Sequence, residues 1–489
     1  MAVQPQSFIR FLYPFIFATD TCDARAALVA AGPGDPHTKF WDNEHFPAEE
    51  LLPYIADYLN PQTKTPPTAY CWRMSDGAFK RWTGHGAEWC LSLHKGSLPT
   101  TIPFVFESVR LALFRGGVGL LAVDAKPTDD SMDSWFDFLH YFRFAGGHRG
   151  VHLLGKRAVP PEHSQHAQPF QFTGTLGQRI AELLNPLQLQ GENGQWWKDI
   201  FVTGQLIPFF GLFADKIPTG DFATMAYRAR NFFHSKQEMH PSNYDLSPQN
   251  PLLLEYADNQ SFVFSLEGGG FLAGVTPSTP FFQETLPGHL RREYALLFML
   301  ALHQRFALTQ LLLRVSAHWL HADEHQRLCE FERSRNIMLE FTARGYFTHV
   351  MQREHHHRCY SKWRETFQVE KLYEQVSSTI REMHSHLDLR QAEQMRQVVE
   401  QQEGQAKRLE RRISAIALLL VMPSLALNVA GAVHQLHWQL TTGALVTGLA
   451  LGWLVLLVLN RIRDRPAKPN PRQDNHPKPE GKGGGRLCE

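Results

Sequence analysis

The stretch that decides the class of this chain is ISAIALLLVMPSLALNVAGAV, residues Ile413–Val433, followed after a nine-residue link by GALVTGLALGWLVLLVL, residues Gly443–Leu459. From Ile413 to Asn460 there are 48 residues without Asp, Glu, Lys or Arg. A helix needs about 20 apolar residues to cross the hydrocarbon of a bilayer, and the two runs have 21 and 17. Neither keeps the polar face that a core helix turns toward water. The pair therefore reads as two transmembrane helices, 413–433 and 443–460.

Basic residues flank the pair on its outer sides, with Lys407, Arg408, Arg411 and Arg412 before it and Arg461, Arg463 and Arg465 after it, while the link has none. By the positive-inside bias both termini are cytoplasmic. The expectation is a multi-pass protein of the cell (inner) membrane with more than 400 residues on its cytoplasmic side. Residues 461–489, rich in Pro, Lys, Asn and Gly, read as a disordered basic tail near anionic headgroups.

The bulk averages conceal this block. The chain has 489 residues, 49 Lys+Arg against 48 Asp+Glu and a mean hydropathy of −0.30, values of a soluble, neutral protein of about three domains. A near-zero balance gives no basic surface for nucleic acid. With 34 Phe, 12 Tyr and 11 Trp the chain cannot stay solvated and disordered. Six Cys without paired spacing fit reduced thiols. Arg10 followed by the apolar run Phe11–Ala18 imitates a signal peptide, but the run is short and holds Pro14, so it reads as a strand.

Residues 1–155 and 156–285 alternate β-like and amphipathic runs and predict a mixed α+β or α/β cytoplasmic body in two halves. Phe8–Phe17 reads as strand, Ala48–Leu59 as helix, Val105–Val123 as two strands and Asp130–Phe144 as helix. RFLYPFIFA from Arg10 resembles QLIPFFGLFA from Gln205, and VRLALFRGGVGLLAV from Val109 resembles FVFSLEGGGFLAGV from Phe262, in the same order. An internal duplication, its second copy within about 195–285, follows from these pairs. Gly117, Gly119 and Ala122 match a dinucleotide fingerprint, but the residues after them are β-like, so the glycines read as a hairpin turn.

Residues 286–412 read as long helices. Tyr294–Val315 is apolar but carries His303, Gln304, Arg305 and Arg314, which favours a buried core helix over a third span. Trp363–Arg412 is charged and Pro-free, with a narrow seam of Leu372, Val376, Ile380, Met383, Leu387, Met395, Val398 and Leu409. It predicts a stalk of about 50 residues, ~75 Å long, running without a breaker into the first span.

Side chains for chemistry are scattered. His318, His321 and His325 share a helical face, and His355-His356-His357 with Cys359 is the densest set of metal-ligand types. Consecutive histidines on a helix diverge, so the triplet reads as solvated linker between the core helix and the stalk. Cys90 near His85 and Cys22 near Asp20 lack a third group to orient a base. The expectation is a non-enzyme without a resident cofactor.

The most specific signal is a stripe on the first span: Ser414, Ala417, Val421, Ser424 and Asn428, at helical spacing. Polar groups in a bilayer avoid lipid, so the stripe faces another helix or water. Several copies around an axis would make it a narrow pore with an amide ring at its outer end.

A stalk, a first span, a short link and a second span behind a large α/β body resemble the CorA family of divalent-cation channels and its zinc-transporting branch. The resemblance covers about 360–465. The family's first span ends in Gly-Met-Asn, or in Gly-Ile/Val-Asn followed by Val-Gly-Gly; here Ala426-Leu427-Asn428-Val429-Ala430-Gly431 keeps the Asn, the Val and one Gly. The resemblance implies a pentameric homo-oligomer whose first span lines a pore for Mg-, Zn- or Co-type cations, the ion being cargo or regulator. The alternative is a membrane-anchored sensor or effector whose body binds a ligand or partner without conduction.

Overall fold

The centre of the molecule is β1 (Phe8–Phe17), an aromatic-rich run suited to a strand buried on both faces. Its side chains alternate with the pleat. Phe11 packs against Phe138 and Phe142 at ring-centroid distances of 5.9 and 4.6 Å, while Phe8 on the other face meets Phe209, which stacks on Phe298 at 5.1 Å. Each fully buried Phe contributes about 2–3 kcal/mol of apolar burial.

The computed structural model describes residues 1–17, 40–47, 49–61, 67–93, 100–144, 151–157, 169–184, 197–199, 204–218, 220–237, 239–247, 249–321 and 324–432, with isolated positions between 443 and 457. It is a mixed α/β structure. Besides β1 its sheet has β2 (Trp41–Glu44), β3 (Ala69–Met74), β4 (Glu88–Leu93), β5 (Thr100–Phe114), β6 (Val118–Pro127), β7 (Val151–Arg157), β8 (Phe170–Gly174), β9 (Trp197–Asp199), β10 (Ile207–Phe213), β11 (Leu253–Ala257), β12 (Gln260–Ser265) and β13 (Gly268–Ala273). Their order is β11-β12-β13-β10-β1-β6-β5-β4-β7-β8, with β2 on β3, β3 also on β5, and β9 on β1. β1 is antiparallel to both β10 and β6, so strands from 1–155 and 156–285 stand side by side in one sheet. β13 runs parallel to β10.

The helices are α1 (Pro53–Leu59), α2 (Asp76–Thr83), α3 (Met132–Phe142), α4 (Leu176–Leu184), α5 (Phe222–Arg230), α6 (Leu286–His289), α7 (Ala295–His321), α8 (Glu324–Arg344), α9 (Glu354–Thr366) and α10 (Val369–Ala432). Two π-helical turns, Phe281–Thr285 and Leu290–Tyr294, bracket α6. α3 and α5 cover the sheet face of Phe11, and α7 with α9 the face of Phe8. Among the described residues Phe281–Ser316 is the one helical run long and apolar enough to cross a membrane, and 78% of its apolar window is buried inside the protein. It is the core helix its interrupting polar residues predict.

The β5–β6 turn settles the glycine motif. Gly116 and Gly117 have φ of +94° and +88°, and a Cβ on Gly117 would stand 2.7 Å from the Phe17 carbonyl, so the glycines close a hairpin and no helix follows. Two expectations shift. The helix expected over Ala48–Leu59 begins only at Pro53, because Leu51 pairs as an isolated bridge with Met351. The stalk helix expected from Trp363 is interrupted at Phe367–Gln368, where Gln368 has φ +54°. α10 then runs 64 residues without a break, through Gly404. The chain divides into one unit of residues 1–380 and another of 381–489.

Candidate functional site

The last two turns of the striped helix are only partly described. Ser414, Ala417 and Val421 lie on α10 and are exposed. Ser424, Ala426, Leu427, Asn428 and Gly431 lie in its helical backbone, but their side chains are outside the described residues, as are 433–442, half of 443–460 and the whole of 461–489. The side chains of His318, His321 and His325 and all of Cys22 are also outside them.

The histidine triplet is not a solvated linker. His355, His356 and His357 form the first turn of α9, and His356 is 0% exposed, packed edge-on against Tyr294 at 4.8 Å. A linker would have kept all three wet; the apolar face of α9 carries His356 inward with Cys359, Tyr360 and Trp363. The His355 and His356 rings lie 4.3 Å apart while His357 turns away to stack on His349 at 4.2 Å, and among the described residues no three His, Cys, Asp or Glu groups converge as a metal site. Burial pushes the His356 imidazole down to about 3.

Among the described residues no cysteine is a nucleophile. Burial, then the charge of Glu44, pushes the Cys71 thiol up to about 12, and burial with Glu88 raises Cys90, so neither supplies a thiolate at neutral pH. Cys71, Cys90 and Cys359 are free. Cys329 is disulfide-bonded, which corrects the expectation of six reduced thiols.

Two cavities in the 1–380 unit gather charge. The smaller, about 250 Å³, is lined by Arg10, Arg110, Arg291, Arg292 and Glu44 above an apolar floor from β5, β6 and α7. Its base is an ion network. Arg10 and Asp124 are cross-strand partners in register, with Arg10 Nε and Nη2 donating to Asp124 at 2.7 and 3.0 Å. Arg110 Nη1 and the Ser108 hydroxyl donate to the same carboxylate at 2.8 and 2.7 Å. Burial alone would raise the Asp124 carboxyl, but the charge and hydrogen bonds of Arg10, followed by Arg110 and Ser108, hold it well below the usual carboxylate range. Every anionic oxygen is thus satisfied from within the sheet, and the network is a structural base for the cavity.

The larger cleft, about 680 Å³, lies where four elements end. α3 and its C-cap supply His140 and Arg143, α5 supplies Arg230, the β12–β13 turn supplies Glu267, and the α9–α10 joint supplies Glu365 and Gln368. Phe232, just beyond α5, also lines it. Phe232 and Gln368 have φ of +53° and +54°, the left-handed region that costs a side-chain-bearing residue roughly 1–2 kcal/mol. Such strain persists only where the surroundings over-determine it. The Phe232 carbonyl accepts a 2.6 Å hydrogen bond from His140 Nδ1, which fixes Nδ1 as the protonated ring nitrogen. Arg143 pairs with Glu267 and lies over the Phe232 ring at 5.2 Å; Arg230 pairs with Asp245 at 2.5 Å.

Arg143, Arg230, Glu267 and Gln368 escaped the sequence reading because they are isolated in the chain and meet only through the fold. Arg10 and Asp124 carried a usable signal: each is a lone charge in a run of buried strand residues, and such charges need each other. No family model, curated protein or solved structure matches the chain, so the likeness to CorA rests on residues 360–465 alone.

Proposed function

We propose that this chain is a CorA-like integral membrane protein of the cell (inner) membrane, a homo-oligomer and by that resemblance a pentamer, passing divalent cations through a pore lined by Ser414, Ala417, Val421, Ser424 and Asn428. It is not an enzyme, needs no cofactor beyond the ion it carries, and has lipid and its own copies as partners. The observation that carries this reading is α10: a single 64-residue helix that starts one residue after the cleft's Gln368 and ends in the apolar run with the polar stripe. A change at the root of α10 passes along it in this reading, so the body biases the stalk and the stalk opens or closes the first span. In this reading 1–155 and 195–285 are the two duplicated halves, 443–460 is the second span, and both termini are cytoplasmic.

The seam supports assembly. Val376 is 1% exposed, but Met395 and Leu409 further along the same seam are 66 and 60% exposed, an apolar line for neighbouring copies. The test is particle size in detergent together with divalent-cation flux in liposomes. A pentamer-sized particle with flux that Asn428→Ala abolishes is expected. A monomer or dimer without flux would leave the body as a membrane-anchored sensor, and normal flux in assembled Asn428→Ala would remove the pore assignment.

A further inference from the structure

The wall charges of the 680 Å³ cleft are unequal in how they are held. Arg143 and Arg230 have side chains 8 and 7% exposed, and each is anchored at the end of a helix packed on the sheet. The partner of Arg143, Glu267, is 50% exposed and sits on the turn between β12 and β13. Arg230 keeps a fixed partner in Asp245, which is 18% exposed, whereas the counter-charge on Arg143 is half in water. An exposed carboxylate on a turn competes weakly for a guanidinium, since solvent screens it, whereas a phosphate offers the same fork several oxygens and more charge.

The cleft is also larger than an internal ion pair needs, and within the range of small-molecule sites. Around the arginines stand one further carboxylate, Glu365, and neutral groups able to orient a ligand: Asn231, Gln237 and the Gln368 amide. The turn bearing Glu267 is tied to the core helix, as Arg305 on α7 donates to the Leu266 carbonyl at 3.0 Å. The Arg305 guanidinium also lies 5.5 Å from the ring of Phe367, inside the α9–α10 joint. A change at Glu267 thus reaches the joint through the neighbouring Leu266 carbonyl and Arg305.

We infer that this cleft is an effector site for a phosphorylated small molecule, whose phosphate displaces Glu267 from Arg143, engages Arg230, and shifts the strained Gln368 joint from which α10 starts. The regulatory half of this inference rests on the channel reading; the binding half does not. Strain at Gln368 supplies the bistability, because a left-handed glutamine is held by its surroundings and changes when they change.

The test uses the full-length protein in detergent with inorganic pyrophosphate as probe, read by thermal shift and by amide exchange over Glu365–Leu372. Pyrophosphate should raise the melting temperature and slow exchange at the joint. Glu267→Gln, which removes the competing charge and keeps an acceptor, should bind at least about threefold tighter, since more of the protein is binding-competent. Arg143→Gln should lose about tenfold or more. If Arg143→Gln does not fold, Glu267→Gln decides alone: a purely structural carboxylate would give equal or weaker binding on removal, and that result overturns the inference, as does binding without any change at the joint. Flux in liposomes separates the two readings. Protein that conducts but never binds pyrophosphate sinks the effector site alone, and protein that binds but never conducts sinks the channel and leaves the site standing.

Discussion

Arg10 and Asp124 are 6 and 4% exposed in the middle of the sheet, whereas Leu389, Met395 and Ile413 on α10 stand 67, 66 and 59% exposed. Residues 1–380 therefore bury charge, and the helix after them leaves hydrocarbon uncovered, the reverse of what burial energetics asks of a soluble chain. The two inversions have different causes. In the body each charge is matched by a partner of the same chain, four hydrogen bonds on one carboxylate. On α10 the complement comes from outside the chain: from lipid for the run beginning at Ile413, and from neighbouring copies for the seam at Met395 and Leu409, under the proposed function.

The largest effect expected is at the buried network. Asp124→Ala leaves the buried Arg10 without its carboxylate, while Arg110 keeps Glu44 at 3.0 Å, and breaking one side of a buried pair costs about 3–5 kcal/mol. Replacing both partners, Arg10→Met with Asp124→Leu, should recover a large part of that, since the desolvation penalty goes with the charges. A denaturant midpoint for each variant of the detergent-solubilised protein measures this. If the double variant is as damaged as the single one, the network owes its value to more than charge matching.

The next effect is pH dependence of the same body. Burial pushes His303 and His356 down to about 3, and both are at most 1% exposed. Their folded values lie below the unfolded 6.5, so the unfolded chain takes up protons that the folded chain refuses. Stability is full above pH 6.5 and is lost as pH falls toward 3, by roughly 2 kcal/mol per histidine at pH 5. His303 stacks on Phe114 at 4.1 Å, so His303→Phe should remove its share of the slope while keeping the stack. A melting temperature equally pH-dependent in that variant would show that the proton goes elsewhere. The Asp124 contribution is present above its unfolded 3.8 and is lost only as pH falls further.

How much of this was legible follows the same divide. β1, the β5–β6 hairpin and the core helix Ala295–His321 could be read because each buries a continuous run, and the glycine turn because only Gly takes its φ. His355-His356-His357 misled because three identical residues carry no periodicity; only Cys359, Tyr360 and Trp363 downstream mark the inward face. Gln368 could not be foreseen as a helix stop, since Gln is an ordinary helix former and its left-handed backbone is imposed by the joint. The cleft was illegible for a geometric reason: residues 143, 230, 267 and 368 meet only because four elements end at one place.

The smallest stability effect, and the one that sharpens the comparison most, is expected on α10. Met395→Ser and Leu409→Ser each remove an apolar side chain that is already in water, so the unfolding midpoint of the body should move by no more than about 0.5 kcal/mol. Assembly is another matter. If the seam is covered by copies, the same changes remove burial at every repeated contact, and particle size in detergent should fall although each chain remains folded. The two readouts must separate: a serine on α10 that destabilises the body as strongly as a core truncation would mean that the hydrocarbon is covered by its own chain, and that the seam is not an assembly surface.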